Sequence, residues 1–400
     1  MIFKFSLRNI WRQRGRAGAI LATISLGIAA LLIYHGFNAG IMNQYRDNTI
    51  KARYGHGQIN TKGYRDKIWD KPWERWIDPN SSLMSELKTR PEVEYVFPRI
   101  SFFALLNNGE KTISGAGEGV DGSVESKFFT TMNVTSGAIL SNEEDGIILG
   151  KGIAETLNLK VGDRVTVLSN TIGGSLNAVD LYVTGIFYTG MKTFDDTLFR
   201  IQLKKAQELL NTDKVESIAL GLKKLEDWKG LETWVSQSHL DFEAIPFNVL
   251  DKVYYQNSVD FLDAQFNFIF LVIFVIVILG IFNTVSTIVM ERKGEIGNLR
   301  ANGESKSEVM GLLLTESLIL GFAGASLGVF LSYLCNLTLL SQGIKMPPGP
   351  GITRQFITFV ELQPSFIPIC YFIGIVSSVL GTYLALRKIL KSSITELLRS

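Results

Sequence analysis

The sequence contains few cysteines and few histidines, and its net charge is small. Its 400 residues include two cysteines, Cys335 and Cys370, and three histidines, His35, His56 and His239. Both cysteines lie in or beside apolar blocks, and no spacing fits a zinc site. We therefore expect neither a disulfide framework nor a structural metal. The formal charge of +2 is also too small to predict a nucleic-acid partner.

Nucleotide-binding motifs are also missing. The run GAGEGVDG at 115–122 lacks both the GxGxxG spacing and a GK[ST] ending. GIILGKG at 146–152 nearly matches a phosphate loop, but its first glycine is one residue too close to the lysine, and Gly152 stands where Ser or Thr should bind magnesium. No Ser–His–Asp or Cys–His set can be chosen without arbitrary selection. We expect a chain that is not an enzyme, has no catalytic, cofactor-binding or metal site, and draws its energy from another protein.

Long apolar runs are what the sequence has in abundance. Four blocks cover residues 17–37, 266–290, 309–335 and 366–386. Each has about 20 residues or more, the length that crosses a hydrocarbon core of about 30 Å as a helix. The second, FNFIFLVIFVIVILGIFNTVSTIVM, is apolar on every face, which is typical of a helix in lipid or in a large core. The blocks predict four transmembrane helices.

The first block has two interpretations. A basic start and small residues near Ala39 and Gly40 would suit a signal peptide. However, the block is too long for a typical signal core, and the residues before it form an amphipathic pattern. Its apolar face comprises Phe3, Leu7, Ile10 and Trp11, and its basic face Arg8 and Arg12. This pattern predicts an interfacial helix over residues 1–16 followed by a retained span.

Basic residues cluster in three segments, which fixes the expected orientation. They are Lys4, Arg8, Arg12, Arg14, Arg16, Arg292, Lys293, Arg300, Lys306, Arg387, Lys388, Lys391 and Arg399. The positive-inside rule places residues 1–16, 291–308 and 387–400 in the cytoplasm, with both termini. Residues 38–265 and the loop 336–365 then lie on the opposite side.

The large segment between the first two spans is expected to be an α+β domain. Runs at 93–106, 163–169 and 180–190 favour β-branched and aromatic residues and predict strands. LKKAQELLN at 203–211 is a helical stretch, and we expect the sheets to be antiparallel. The predicted fold class is an α-helical membrane protein with four transmembrane helices plus a large α+β extracytoplasmic domain between helices one and two.

A tryptophan-rich segment, IWDKPWERW, lies in this domain. Trp69, Trp73 and Trp76 have the spacing i, i+4 and i+7, so a helix would place them on one face, with Pro72 in its first turn. One interpretation is packing against the domain core. The other is contact with the outer membrane face or a partner, since indole rings favour interfaces.

Residues 291–331, ERKGEIGNLRANGESKSEVMGLLLTESLILGFAGASLGVFL, resemble the signature of the FtsX/MacB-type ABC permeases. The matching residues are Glu291, Arg292, Glu295, Ile296, Gly297, Leu299, Arg300, Ala301, Gly303 and Glu316. SSITELLR at 392–399 is similar to the family's terminal motif, although Ile394 stands where proline is usual. SLRNIWRQRGRAGAILATISLGIA at 6–29 resembles the family opening. GIILGKGIAETLNLKVGDRVTV, LYVTGIF and LFRIQLKKAQELL are similar in order and spacing to the lipoprotein-releasing LolC/LolE branch.

The resemblance implies a permease of the type VII, mechanotransmission class. Two such subunits, identical or different, would pair in the bacterial inner membrane with a cytoplasmic ABC ATPase dimer that holds ATP and magnesium. Closure of that dimer would move a short helix between spans two and three. The implied ATPase-coupling residues are Glu291, Arg292, Glu295, Ile296, Gly297, Arg300 and Gly303. The charged side chains would contact the ATPase, and the glycines would allow close approach or a tight cap.

Span three contains a row of small residues and one carboxylate. Gly324, Gly328 and Ser332 form a small-xxx-small pattern, which permits close helix packing either within the protomer or against a second subunit. Glu316 lies roughly two turns into the span from its cytoplasmic end, where an unpaired charge is costly. We expect it to reach the interface or form a hydrogen bond.

Three functions are compatible with these features. The LolC/LolE-like order favours extraction of a lipoprotein or another lipophilic envelope substrate from the inner membrane. In LolC a proline-containing hook recruits a soluble carrier, whereas the corresponding stretch at 169–180 is shorter and has no proline. This favours the second function, a MacB-like exporter of peptides, toxins or drugs, with an outer-membrane partner in place of a periplasmic carrier. The third is an FtsX-like regulator of cell-wall hydrolases, whose external domain is usually smaller.

Overall fold

The computed structural model describes residues 2–68, 70–129, 132–141, 144–347, 355–394 and 397. The chain divides into two compact units. A helical unit comprises residues 1–43, 260–345 and 357–400, and an α/β unit comprises residues 44–259 and 346–356.

Long helices lie toward both ends of the chain, and most strands lie between them, interspersed with short helices. The helices are α1 (Ile2–Arg12), α2 (Arg14–Thr49), α3 (Ser82–Thr89), α4 (Gly122–Phe128), α5 (Lys151–Thr156), α6 (Lys192–Asp195), α7 (Leu203–Leu210), α8 (Trp228–Ser238), α9 (Phe247–Leu250), α10 (Asn257–Glu291), α11 (Lys293–Ala301), α12 (Lys306–Thr338) and α13 (Ile367–Ile389). The strands are β1 (Gly57–Thr61), β2 (Val93–Asn107), β3 (Thr112–Val120), β4 (Asn133–Gly137), β5 (Gly146–Gly150), β6 (Arg164–Asn170), β7 (Leu176–Tyr188), β8 (Leu198–Gln202), β9 (Ser217–Leu222), β10 (Phe242–Pro246), β11 (Ile344–Met346) and β12 (Phe356–Thr358).

Four helices of the described chain are long and apolar enough to cross a membrane. They are Arg14–Tyr54, Asn257–Glu291, Lys306–Thr338 and Pro364–Ile389. Each contains one of the four apolar blocks of the sequence, and α10 leaves Phe268, Leu271 and Ile276 more than half exposed. Apolar side chains exposed along a helix of this length are what lipid solvates. The predicted fold class, four transmembrane helices with a large domain between the first two, is confirmed.

Small residues bring α12 and α13 together. A Cβ added to Gly321 would lie 3.0 Å from the Gly374 carbonyl oxygen, and one added to Gly374 would lie 3.1 Å from the Ala325 side chain. Ser378 Oγ donates to the Ser317 carbonyl at 2.9 Å. Close backbone approach through small residues, with hydrogen bonds between helices, is how helices associate where burial of apolar surface supplies no driving force.

The α/β unit is built on one large mixed sheet. Its strand order is β10-β1-β9-β2-β3-β8-β5-β7-β4, and β6 pairs with β2 and β7. The expectation of antiparallel sheets is wrong for two pairs, since β3 and β8 run parallel, as do β5 and β7. Both parallel pairs are joined by long crossovers that contain helices, which parallel strands require. The first half of β2 pairs with β9 and the second half with β3, so this strand runs through most of the unit.

The core of the α/β unit lies between the sheet and the helices packed on it. Ala206 and Leu209 of α7 are fully buried against β3, and a Cβ added to Gly119 of that strand would lie 2.4 Å from the Ala206 Cβ. Gly119 is therefore required for the close approach of α7. Leu231 and Val235 of α8 are also fully buried in the same core.

Candidate functional site

The segment between α10 and α12 is a short helix followed by a tight turn. α11 ends at Ala301, and Gly303 adopts φ +98°, a conformation that glycine reaches without strain. Ser305 then begins α12 with a capping box. Its hydroxyl accepts from the Glu308 backbone N–H at 3.3 Å, and the Glu308 carboxylate accepts from the Ser305 backbone N–H at 2.8 Å. The local sequence therefore fixes where α11 stops and α12 starts.

Arg292 lies in the interior of the helical unit, between α10 and α11. It is 7% exposed, and its Nη1 donates to Glu316 Oε2 at 2.7 Å. Its Nε donates to Glu295 Oε2 at 3.0 Å. Glu316 is itself 6% exposed, so the first pair is a buried ion pair and the second is half accessible. Glu316 forms an ion pair with Arg292, where the sequence predicted only that it would find a hydrogen bond or the interface.

Three residues at the α1–α2 junction complete this network, and sequence reasoning missed them. Asn9 Nδ2 donates to Glu316 Oε1 at 2.8 Å, and Gln13 Nε2 donates to both Glu295 oxygens at 3.0 Å. Arg16 Nε donates to Glu291 Oε2 at 2.9 Å. The three have the spacing i, i+4 and i+7, one helical face. That polar stripe was the available signal, but its partners are more than 270 residues away.

Burial and neighbouring charges have opposite effects on the pKa values in this network. We call it the junction network, and it comprises Asn9, Gln13, Arg16, Glu291, Arg292, Glu295 and Glu316. Burial alone would lower the pKa of the Arg292 guanidinium, but Glu316 and Glu295 outweigh it and raise that pKa. Burial would raise the pKa of Glu295, but Arg292 and Gln13 lower it. The charged forms of Arg292 and Glu295 are therefore both stabilised by their partners.

A cavity of about 40 Å³ borders the junction network, lined in part by Asn9, Arg292 and Glu316. Sites for drug-sized ligands have volumes of roughly 300–1,000 Å³. The space beside these charges is thus too small for a drug-sized ligand, and what the network does in this structure is connect helices.

The residues expected to couple to an ATPase fall into two groups. Arg292, Ile296 and Gly297 are buried, while Glu291 and Gly303 are exposed and Glu295 and Arg300 are partly so. Arg300 Nη1 donates to the Ser392 carbonyl at 3.1 Å, which ties α11 to the chain after α13. Every residue from Ala301 to Glu308 is exposed. The surface open to another protein is therefore the exposed segment 301–308, which we call the turn and which includes the end of α11 and the first residues of α12. The buried residues hold α11 in place.

The small residues of α12 face α2. A Cβ added to Gly324 would lie 2.8 Å from the Ile24 side chain, and one added to Gly328 would lie 2.8 Å from both the Ile28 side chain and the Ser25 carbonyl oxygen. Ser332 is fully buried, and its Oγ donates to the Ala29 carbonyl of α2 at 3.5 Å. The small residues Gly324, Gly328 and Ser332 therefore pack against α2 within the same protomer.

Trp73 and Trp76 do not share a helix face. Trp69 lies outside the described residues. Trp73 belongs to a 3₁₀ turn, Pro72–Arg75, which follows Lys71 in a left-handed conformation, and Trp76 is extended. Trp76 is 8% exposed in the core of the α/β unit, and Trp73 packs partly buried against the same core. For these two rings the packing interpretation agrees with the structure.

The hairpin of β6 and β7, residues 169–180, lies against its own domain. The Ile172 backbone N–H donates to the Leu210 carbonyl at 3.0 Å, and Asn177 Nδ2 donates to the Glu208 and Leu209 carbonyls at 3.1 and 3.0 Å. These carbonyls are at the end of α7, where helical partners are lacking. Ile172 and Asn177 of the hairpin therefore cap α7, while residues 173–176 at its tip are exposed.

Asn177→Ala is expected to release this hairpin. It removes both amide donors, each worth about 0.5–1.5 kcal/mol, so backbone amides at 171–175 should exchange with deuterium roughly tenfold faster. Hydrogen exchange read by mass spectrometry measures this directly. Asn170→Ala, at an exposed position of the same hairpin, is the matched control. Equal exchange in both variants would show that the Asn177 amide does not hold the hairpin.

The part of the chain that the structure describes contains no group of three or more His, Cys, Asp or Glu residues placed to hold a metal ion.

Comparison with known proteins identifies both parts of the chain. Residues 18–237, more than half of the sequence, match the family described as "MacB-like periplasmic core domain", and residues 267–394 match "FtsX-like permease C-terminal". The lipoprotein-releasing system transmembrane protein LolE of Haemophilus influenzae is 25% identical over 363 residues, covering 86% of this chain and 83% of that protein. LolC of Neisseria meningitidis serogroup B is 26% identical over 359 residues, with the same coverage of 86% and 83%.

Among solved structures, the periplasmic region of MacB from Actinobacillus actinomycetemcomitans aligns with a TM-score of 0.36 and 14% identity, covering 50% of this chain and 92% of that one. The two family matches and the two relatives, each matched over 83% of its length, identify the same kind of protein. The chain belongs to the FtsX/MacB-type family of ABC transporter permeases.

Proposed function

We propose that this chain is the membrane subunit that couples ATP hydrolysis by a separate ABC ATPase to a conformational change in its α/β domain. The observation that carries the proposal is the junction network. It joins α11 to α1 and α12 through Arg292, Glu295 and Glu316, while the turn 301–308 remains open. A force on the open turn would pass to α12 and to the α1–α2 junction through directional, charged contacts, and such contacts fix geometry better than apolar packing does.

The orientation in the proposal follows from charge. By the positive-inside rule, the basic residues in segments 4–16, 292–306 and 387–399 support a cytoplasmic position for the junction network, the turn and both termini at a bacterial inner membrane. The α/β unit then lies in the periplasm. ATP and magnesium belong to the ATPase, and a second permease subunit, identical or different, completes the assembly.

The substrate we propose is a lipoprotein or another lipophilic envelope molecule that is extracted from the inner membrane. Two relatives that each cover 86% of this chain are transmembrane proteins of lipoprotein-releasing systems. One alternative is a MacB-like exporter. The hairpin of β6 and β7 favours it, because the stretch 169–180 has no proline and Asn177 holds it to the end of α7, which restrains the segment that would recruit a soluble carrier.

Site-directed photocrosslinking tests the coupling assignment. A photoreactive residue at Asn302 or at Lys306, both exposed in the turn, is expected to capture an ABC ATPase from native membranes. Lys229, exposed on α8 of the α/β unit, is the control position and should capture none. If the ATPase is absent from the turn positions, or equally abundant at Lys229, the coupling assignment is wrong.

Mass spectrometry of the complex purified in mild detergent then identifies the substrate class. Acylated lipoprotein supports the proposed function. Peptides or an outer-membrane channel would instead support the exporter, and a cell-wall hydrolase activator would support a regulator that moves no substrate.

A further inference from the structure

The helix that enters the α/β unit ends in an unusual turn. Residues Ile50–Tyr54 continue α2 as a π-helix, and the Gly55 backbone N–H donates to the Ile50 carbonyl, five residues earlier, at 3.0 Å. We call Ile50–Tyr54 the first stalk turn. A second π-helical turn, Lys252–Gln256, precedes α10. π-helical turns are rare and often mark functional positions.

Two arginines from the sheet satisfy the carbonyls at the end of the first stalk turn. Arg99 of β2 donates through Nη1 to the Arg53 carbonyl, and Arg200 of β8 donates through Nη2 to the Ala52 carbonyl at 3.3 Å. The last carbonyls of a helix lack partners within it and carry partial negative charge. Both arginines are buried, at 4% and 2% exposure, so these are interior contacts.

Two carboxylates neutralise the arginines. Glu125 of α4 accepts from Arg99 through both oxygens, with Nη2 and Oε2 2.9 Å apart. Glu118 of β3 accepts from Arg200 Nε at 2.8 Å and lies 3.4 Å from Arg53 Nε. Burial would raise the pKa of Glu118, but Arg200 and Arg53 outweigh it and hold that pKa at about 2. We call Arg53, Arg99, Arg200, Glu118 and Glu125 the arginine cluster.

Stability alone is a poor explanation of the arginine cluster. Buried ion pairs can often be replaced by apolar side chains without loss of stability, because removing the charges from water is costly. Such a cluster supplies a fixed geometry, since the planar guanidinium fork donates hydrogen bonds only in certain directions. The Phe129 ring, fully buried and 4.4 Å from the Arg99 guanidinium carbon, restricts that side chain further.

We propose that Arg99 and Arg200 are positioning residues that fix the end of the first stalk turn to β2 and β8, so that displacement of α2 moves the sheet. The source of the displacement rests on the proposed function. The rigid attachment is a property of this chain alone, and it can be tested without an ATPase.

Electron–electron distance measurements test the attachment. The full-length chain in lipid nanodiscs, with Cys335→Ser and Cys370→Ser, carries spin labels at Asn48→Cys near the end of α2 and Ser114→Cys on β3, both exposed positions. Arg200→Lys keeps the charge and loses the fork, so the distance distribution should become about twofold broader. Arg99→Lys, measured in parallel, should broaden it similarly. Unchanged widths in both variants would overturn the inference.

Two controls separate attachment from folding. Arg164→Lys changes an exposed arginine that pairs with Asp180 on the hairpin, and it should leave the distribution unchanged. A second label pair, Ser114→Cys with Glu232→Cys on α8, reports the sheet alone and should stay narrow in Arg200→Lys. Broadening of both pairs would contradict the inference, because the arginines would then support the whole sheet and not the stalk.

A final measurement adds the co-purified ATPase and compares, with and without ATP and vanadate, the distance from Ser114→Cys in one permease subunit to a label in the external domain of the second, which is again Ser114→Cys where the two subunits are identical. The distance should change in the otherwise native chain and change much less in Arg200→Lys, at an unchanged rate of ATP hydrolysis. Equal changes in both would overturn the positioning role. If this distance does not change with ATP in the otherwise native chain, the result counts against the proposed function. The width of the distribution between Asn48→Cys and Ser114→Cys would still test whether the arginines attach the first stalk turn to the sheet.

Discussion

Replacing Arg292 by methionine is expected to lower the free energy of unfolding of the helical unit by about 3–5 kcal/mol, the cost of breaking a buried ion pair. The variant leaves the Glu316 carboxylate buried, with the Asn9 amide still donating to it but no cation. Asn9 supplies one hydrogen bond, which is too little to offset an uncompensated charge in the interior. Unfolding by SDS titration in mixed micelles measures the loss.

The accessible partner of Arg292 provides the matched control. Glu295→Gln removes a carboxylate whose side chain is 42% exposed, so its pair with Arg292 should contribute at most about 1 kcal/mol. The double variant Arg292→Met with Glu316→Leu removes both buried charges and should recover most of the loss. Equal losses for Arg292→Met and Glu295→Gln, or a double variant no better than Arg292→Met, would contradict the buried-pair interpretation.

Sequence reasoning predicted the four spans because length and uniform apolarity are sufficient evidence for them. It interpreted Gly303 as a possible tight cap, but it did not use a second local signal, the Ser305–Glu308 capping box. The third span was therefore expected from residue 309, whereas α12 begins at Lys306. These features depend on residues within a few positions of each other. For that reason they could be predicted before any tertiary structure was known.

The inward placement of Arg292 could not be predicted in this way. A charged segment between two spans ordinarily indicates a solvated loop, and the partners that bury Arg292 come from distant parts of the chain. Glu316 is 24 residues from Arg292 in the sequence. Asn9, which donates to the same carboxylate, is 307 residues from Glu316. The same limit applies to Arg99 and Arg200, whose carbonyl acceptors lie at the end of a helix 46 and 148 residues away.

Two other expectations were wrong: the helix at the tryptophan-rich segment, for a local reason, and the fully antiparallel sheet, for a topological one. The i, i+4, i+7 spacing of the tryptophans predicted a helix, but left-handed Lys71 and Pro72 permit only a 3₁₀ turn before Trp76 becomes extended. The antiparallel sheet was expected from strand-like runs alone. Which strands pair in parallel depends on the crossovers, and short strands of similar composition do not reveal their neighbours.

Gly328→Ala and Gly311→Ala, two changes of the same kind in α12, are expected to have opposite effects on stability. At Gly311 an added Cβ meets nothing within 4 Å, so the helix gains about 0.5–1 kcal/mol from replacing glycine. At Gly328 the new Cβ would lie 2.8 Å from the Ser25 carbonyl oxygen and the Ile28 Cβ. Neither atom is the end of a flexible side chain, so α2 and α12 must separate, at a cost of about 1–3 kcal/mol.

Leucine at the two positions enlarges the contrast. Gly328→Leu should prevent α2 and α12 from packing, because close approach through small residues is what holds such helices together. It should therefore lower the SDS midpoint far more than Gly311→Leu does. The result also bears on coupling, since α2 is the helix that carries the first stalk turn. Equal effects at the two positions would show that the small-residue row of α12 does not depend on its contact with α2.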